Sequence, residues 1–316
     1  MEARVTPPTP QRGAMIDAGT IRSRWWSRRH RLAFVGWLYA LPTAVVVGFL
    51  FVVPIAMALW MSLNRWPILG EPTLNFPNNY TSIPRDFLFV QAISFTILYT
   101  AIITVVLLGL GLFLALLVEG QSKVVGVLRT AYFLPAVVGL TAAALLFYAL
   151  YAPGFGPINP ILQDLGLIDE PIRFLGSPNT ALFSVIAMMT WKFAGFYMII
   201  LLVGLQGIPR ELYEAARIDG AGRLQSLRYI TLPLLRPSIA LCLVLMVSGA
   251  MLAFENFFVM TQGGPDRSTV TMVMAIFRAA FSQLDLGRGA ALAIVVMTAL
   301  VAFNALWLTL VRRGQT

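Results

Sequence analysis

Apolar positions along the chain gather into six long runs, at about residues 34–62, 91–118, 131–152, 181–206, 238–260 and 289–311. Each is near or above the roughly twenty residues that a helix needs to cross a bilayer. The first two exceed that length, which predicts tilt or extension beyond the membrane. Pro42 and Pro54 interrupt the first run. The pattern predicts an all-α fold: a polytopic bundle of six transmembrane helices joined by polar loops.

Composition agrees with the pattern. Of the 316 residues, 58% are hydrophobic and 12% charged, about half the charge of a soluble domain. The net charge of +9 lies mostly at the edges of the runs. With the N-terminus inside, sixteen basic residues fall on inner segments and six on outer ones. The positive-inside rule therefore places both termini in the cytoplasm. Residues 1–31 are Pro-rich and then Arg-rich, and read as a partly disordered cytoplasmic tail; residues 32–316 form the six-span domain. The run after the tail is too long for a signal-peptide core and acts as an anchor. Trp25 and Trp26 suit the headgroup level. Cys242 and His30 are the single residues of their kinds, so no internal disulfide and no histidine-based metal or catalytic cluster is expected.

One stretch breaks the apolar pattern decisively. Residues 207–237, GIPRELYEAARIDGAGRLQSLRYITLPLLRP, carry Arg210, Glu211, Glu214, Arg217, Asp219, Arg223, Arg228 and Arg236 between two apolar runs. So charged a segment belongs in water. Pro209 suits a first helical position. Glu211 and Glu214 follow in the first turns, where the helix dipole favours carboxylates. Leu212, Ala215 and Ala216 form a small apolar face. Gly220 ends the helix in a left-handed conformation, and a second short helix closes at Pro233 and Pro237.

The order Glu214-Ala215-Ala216, three residues, Gly220, then Ile230-Thr231-Leu232-Pro233 resembles the EAA loop of ATP-binding-cassette importer permeases. The fuller string from Leu212 to Ala221 resembles their carbohydrate-uptake branch, the maltose and glycerol-3-phosphate type. TQGGPDRST (261–269) is similar to that branch's Thr-Gly-Gly-Gly-Pro signature, with Gln262 replacing the first glycine. Asp285-Leu286-Gly287 and Gly289-Ala290-Ala291 fit the same family. The resemblance covers about residues 34–312.

It implies a cytoplasmic EAA coupling helix, with Glu214, Ala215, Ala216, Asp219 and Gly220 meeting an ATPase. It also implies the partners: a second homologous permease, two copies of an ABC ATPase and an extracytoplasmic solute-binding protein, in the surrounding lipid of a prokaryotic cell membrane. No nucleic-acid partner is expected. No G-x-x-x-x-G-K-[ST] loop occurs anywhere in the chain, so ATP and Mg would be bound by the partner ATPase and the chain would be a transport subunit, not an enzyme. The cargo implied is a sugar or sugar derivative. The alternatives are an importer of a non-sugar solute and an ion-driven secondary transporter. The last would want paired acids inside the membrane, whereas Glu255 is the only acid in any run.

Two places combine polar and aromatic groups inside the runs. Lys192 lies between Trp191 and Phe193, with Phe196 beyond. An unpaired charge at the bilayer centre costs about 3 kcal/mol on insertion scales, so Lys192 must face protein or a watery path. Pairing with a carbonyl or an acid satisfies that argument as well as solute contact does. Phe254, Glu255 and Asn256 near the outer end of the fifth run pair aromatic faces with hydrogen-bonding groups. That combination suits sugar rings, and it also suits plain packing. Through the resemblance, Trp191, Lys192, Phe196, Phe254, Glu255 and Asn256 are candidate substrate-pathway residues.

Overall fold

The computed structural model describes residues 33, 35–120 and 122–313. The tail 1–31 set apart by its composition lies outside the described residues. Met57 ends one compact unit and Ala58 begins the other. The fold is all-α, with one two-residue antiparallel pair, β1 (Asn64–Arg65) and β2 (Thr73–Leu74). Helix is what a spanning chain must adopt, because hydrocarbon offers no partners for free peptide groups.

The first helix, α1 (Val35–Ser62), carries no ionisable charge. Its turns widen over Gly48–Val52, just ahead of Pro54, which has no N–H to return to the preceding turn. After β1 and β2 come the short α2 (Asn78–Thr81) and the long α3 (Phe87–Leu117). A bent pair follows, α4 (Lys123–Val137) and α5 (Leu140–Leu150), then the short α6 (Ile158–Asp164) and the long α7 (Pro178–Gln206). The charged island forms α8 (Arg210–Ile218) and α9 (Arg223–Leu234), with α9 running into α10 (Arg236–Met251). The chain ends with α11 (Glu255–Met260), α12 (Met272–Ser282) and α13 (Leu286–Arg313). Among the described residues, four helices are long and apolar enough to cross a membrane, and the two bent pairs make six spans if each pair counts as one.

The third and fifth runs depart from straight spans. The third, expected as one helix over 131–152, bends by 94° between α4 and α5. Pro135 lies inside α4, Val138 takes extended backbone, and Gly139 opens α5 without a side-chain cap. In the fifth, helix stops at Met251 and resumes at Glu255, with Phe254 outside helical angles. Pro233 and Pro237, expected to close the island's second helix, instead sit in the first turns of successive helical pieces. The path from Arg223 to Met251 bends by 67° and continues. A proline in a first turn needs no N–H, so the chain turns there without stopping.

The core runs along α3 and α7. Phe89, Ala92, Tyr99, Ile103 and Leu107 on α3 are buried, as are Val185, Met188, Met198 and Leu201 on α7. Phe257 of α11 completes it, edge-on to Tyr99 at 4.9 Å between ring centres. Ile97, Leu98, Val105 and Phe113 on the other side of α3 are exposed. The ends are tied by polar groups. Arg129 of α4 donates to the carbonyls of Val118 (2.7 Å) and Gly120 (2.8 Å), which satisfies the end of α3. Asp86 caps α3 through Phe89 N–H (3.2 Å) and pairs with Arg288 of α13 at 2.6 Å.

The α4–α7 contact depends on a missing side chain. A Cβ at Gly195 would collide with the carbonyl oxygen of Tyr132 and lie 2.9 Å from Cα of Phe133, both backbone atoms that cannot step aside. At Gly126, on the same α4, a Cβ meets nothing within 4 Å. Gly195→Ala is therefore expected to destabilise the detergent-solubilised protein by about 1–3 kcal/mol, read as a lower thermal midpoint. Gly126→Ala should leave that midpoint unchanged or raised.

Candidate functional site

The island folds into a projecting knob. Pro209, one residue earlier than expected, precedes α8 with extended ψ, and Glu211 lies in the first turn, where its carboxylate complements the dipole. Asp219 caps the other end. Gly220 then takes φ +81°, its N–H bonding the Arg217 carbonyl (3.1 Å) while Ala221 N–H reaches the Ala216 carbonyl (2.8 Å). These are the two crossed bonds of a Schellman ending. Gly222 N–H then donates to Gln225 Oε1 (2.8 Å), which starts α9. Glu214, Ala215 and Asp219 are exposed and Ala216 half-buried, all within this one turn-ended helix.

Two features of the knob were not legible beforehand. Tyr213 OH and Thr231 Oγ1 share a hydrogen bond of 3.0 Å, fastening α8 to the root of the fifth span. Ile218 and Leu224, either side of the Gly220 turn, are 88% and 76% exposed. Their signal in the sequence was two bulky apolar residues flanking a turn inside an otherwise charged segment.

The interior groups fall into separate neighbourhoods. Lys192 is 3% exposed, and its ammonium donates to the carbonyls of Ala136 (3.2 Å) and Val138 at the break of the third span. The bend strips those carbonyls of helical partners, and the lysine replaces them. Trp191, next along α7, points elsewhere, against Phe147 of α5 at 5.2 Å between ring centres. Phe196 is half exposed with its ring against Tyr197.

Phe254 and Glu255 stand together at the break in the fifth span. Phe254 begins a run of rings through Phe277 (5.3 Å) to Phe281, with Phe258 stacked on it at 5.0 Å. Glu255 Oε2 accepts from Thr141 Oγ1 (3.0 Å) in the first turn of α5, and both residues are exposed. Asn256 turns inward: it is buried, its amide reaches Tyr99 OH at 3.4 Å, and its Oδ1 has no partner among the described residues. Trp191, Phe254 and Glu255 thus border surfaces joined through α5, whereas Lys192 and Asn256 face protein.

The glycine-proline turn after α11 is a closed knot. Thr261 and Thr269 hydroxyls bond at 2.7 Å, Thr269 Oγ1 reaches the Gly264 carbonyl at 2.7 Å, and Arg278 donates to the Gln262 carbonyl at 2.7 Å. Burial and the neighbouring charge of Arg267 lower the pKa of Arg278. Ser248 and Asn304 bond at 3.2 Å on the wall of a groove of about 710 Å³ between α10 and α13. The Ser248–Asn304 pair was not singled out by the sequence pattern, since isolated polar residues inside an apolar run are commonplace in membrane helices.

Comparison with known proteins bears on the whole domain. Residues 108–313 match the family described as binding-protein-dependent transport system inner membrane component. A sulfoquinovosyl glycerol transport system permease of Agrobacterium fabrum is 34% identical, over 92% of this chain and 94% of its own. A trehalose/maltose transport system permease of Thermococcus litoralis is 31% identical, over 89% and 94%. Among solved structures, a bacterial ABC transporter involved in the import of the acidic polysaccharide alginate superposes with a TM-score of 0.80 at 23% identity. That match covers 92% of this chain and 99% of the other, and is a likeness of fold.

The positive φ of Gly220, with open space around its missing Cβ, separates backbone strain from clash. Gly220→Val is expected to cost the α8 turn about 1–2 kcal/mol and to speed tryptic cleavage at Arg217 and Arg223. Gly220→Asn, which tolerates left-handed angles, should retain near-native protection.

Proposed function

This chain belongs to the family of binding-protein-dependent transport system inner membrane components, and we propose that it is one of two permease subunits of an ATP-driven sugar importer. The observation that carries the coupling part is the knob itself: a turn-ended helix with a small-residue face and two exposed apolar side chains, joined to the long α7 by the three residues 207–209. Such a surface fits a cleft on an ATPase. Ala215 and Ala216 allow close seating, and Glu214 and Asp219 offer carboxylates to cationic groups of the partner. Asp219 sits at the helix end, where the dipole disfavours an anion, and a partner contact gives it a reason to be there.

The remaining partners follow from the same reading. A second homologous permease completes the path, two ATPase subunits bind ATP and Mg, and an extracytoplasmic protein delivers solute. This chain contributes no catalysis of its own. The knob and both termini lie in the cytoplasm, in keeping with the bias of basic residues. ATP closes the ATPase pair, which draws in the knobs and opens the bundle to the outside; hydrolysis reverses the motion. The names of the relatives, with sulfoquinovosyl glycerol and trehalose/maltose as their cargo, support a sugar or sugar derivative here. So do the aromatic face of Phe254 next to the Glu255 carboxylate and, separately, that of Trp191 against Phe147.

Co-purification tests the reading. The chain alone in liposomes is expected to show no ATP-dependent uptake, and the co-expressed complex to show it. Ala216→Asp should leave the bundle folded, release the ATPase during purification, and lower uptake and solute-stimulated hydrolysis together. Full ATPase retention with normal uptake in that variant would make residues 209–220 a plain loop.

A further inference from the structure

We propose that Lys192 and Glu255 are positioning residues that hold the break of the third span from its two ends, and that this charged joint passes movement of the knob to the solute path. The inference rests on the importer reading above. Lys192 and Glu255 are the only basic and acidic side chains within the six apolar runs. They come from different helices, α7 and α11, yet both bear on the same few residues, 136–141.

The helix ends at the break explain why one charge of each sign is needed. At the close of α4, the carbonyls of Ala136 and Val138 lack helical donors and carry the negative end of that helix's dipole. Lys192 meets them with an ammonium. At the start of α5, Gly139 supplies no side-chain cap, so the first N–H groups present a positive end. Glu255 stands there, hydrogen-bonded to Thr141 in that first turn. A neutral donor would satisfy the carbonyls with a smaller desolvation cost. A charge adds a field that weakens steeply when the two ends of the break move apart, which suits a joint with two settings.

The joint also lies between the elements that the importer reading must connect. α7 carries Lys192, is seated on α4 at Gly195, and leads into the knob after Gln206. Glu255 belongs to the broken fifth span, beside the phenylalanine run that borders the candidate path. A displacement of the knob along α7 moves the ammonium relative to α4, and the response appears at α5 and Glu255. Transmission of this kind requires a bistable element that both sites bias, a role that the joint gives to the 94° break between α4 and α5.

The test uses the complete transporter in liposomes, with Lys192→Met, Lys192→Arg, Glu255→Gln and Thr141→Val. Spin labels replace the exposed Val127 on α4 and Leu146 on α5, in a Cys242→Ser background. The joint predicts that Lys192→Met and Glu255→Gln lower solute moved per ATP at saturating solute by about tenfold, a usual size for coupling. It also predicts a broadened label distance that no longer switches with ATP, and partial rescue by Lys192→Arg. A Glu255 that only touched solute would raise the half-saturating solute concentration and leave the label distance alone, which overturns the proposal. So would wild-type coupling and distance in both variants. Where Lys192→Met fails to assemble, Thr141→Val removes only an exposed hydroxyl and carries the same two expectations. Absence of uptake by the wild-type complex would sink the importer reading instead.

Discussion

The bundle depends on one interaction inside the membrane: the Lys192 ammonium on the carbonyls of Ala136 and Val138. Hydrocarbon does not tolerate free peptide groups, so a spanning helix can break only where something else satisfies its ends. Pro135 and Gly139 provide the break, and Lys192 makes it tolerable. The desolvation penalties of a buried ammonium and of stripped carbonyls are large separately and cancel in large part together. With that contact in place, α5 is free to leave the line of α4 and carry Thr141 to Glu255 and Phe147 to Trp191.

α7 is the member through which these contacts run. Along one helix it brings Lys192 to the break, Gly195 to the backbone of α4, and Gly204 to a contact with Ser238 and Leu235 so close that a Cβ would collide. Small residues let helix backbones approach where lipid gives no hydrophobic drive for association. Close approaches at 195 and 204 fix where α7 meets α4 and the root of the fifth span, while the knob beyond Gln206 remains exposed and turn-ended. Contact in the membrane and access in water are thus assigned to adjoining stretches of the same chain.

Much of this was legible in the residues. Four of the six apolar runs became helices close to their expected limits, at α1, α3, α7 and α13, because length and hydropathy alone decide a straight span. The knob was legible too: Gly220 at an αL helix end follows from glycine's lack of a Cβ, whatever lies nearby. The breaks were harder. Pro135 announces a possible kink, yet nothing local distinguishes it from a proline tolerated in a continuous helix such as Pro42 or Pro54. The deciding group, Lys192, lies 56 residues away from Ala136. The same holds for Pro233 and Pro237, which read as terminators but serve as first-turn residues of a bending path. In the fifth span, side chains on successive positions go to different places, Glu255 to α5 and Asn256 to Tyr99. Both lie in α11, where successive positions point about 100° apart, and an aromatic-polar stretch read as one patch could not reveal that division.

The Asp86–Arg288 pair joins residues 202 positions apart, linking the start of α3 to the start of α13. A ribosome adding about 5–20 residues per second needs roughly 10–40 s to cover that interval. For that time α3 stands in the membrane with its Asp86 carboxylate unmatched, and with Thr96 and Tyr99 still waiting for Met272 and Asn256. The second span is therefore born incomplete and relies on late-made chain for both its clamp and its interior partners. A ribosome that stops before the sixth span leaves a half-built bundle with open polar seams, which membrane quality-control proteases can recognise without reading any sequence at all.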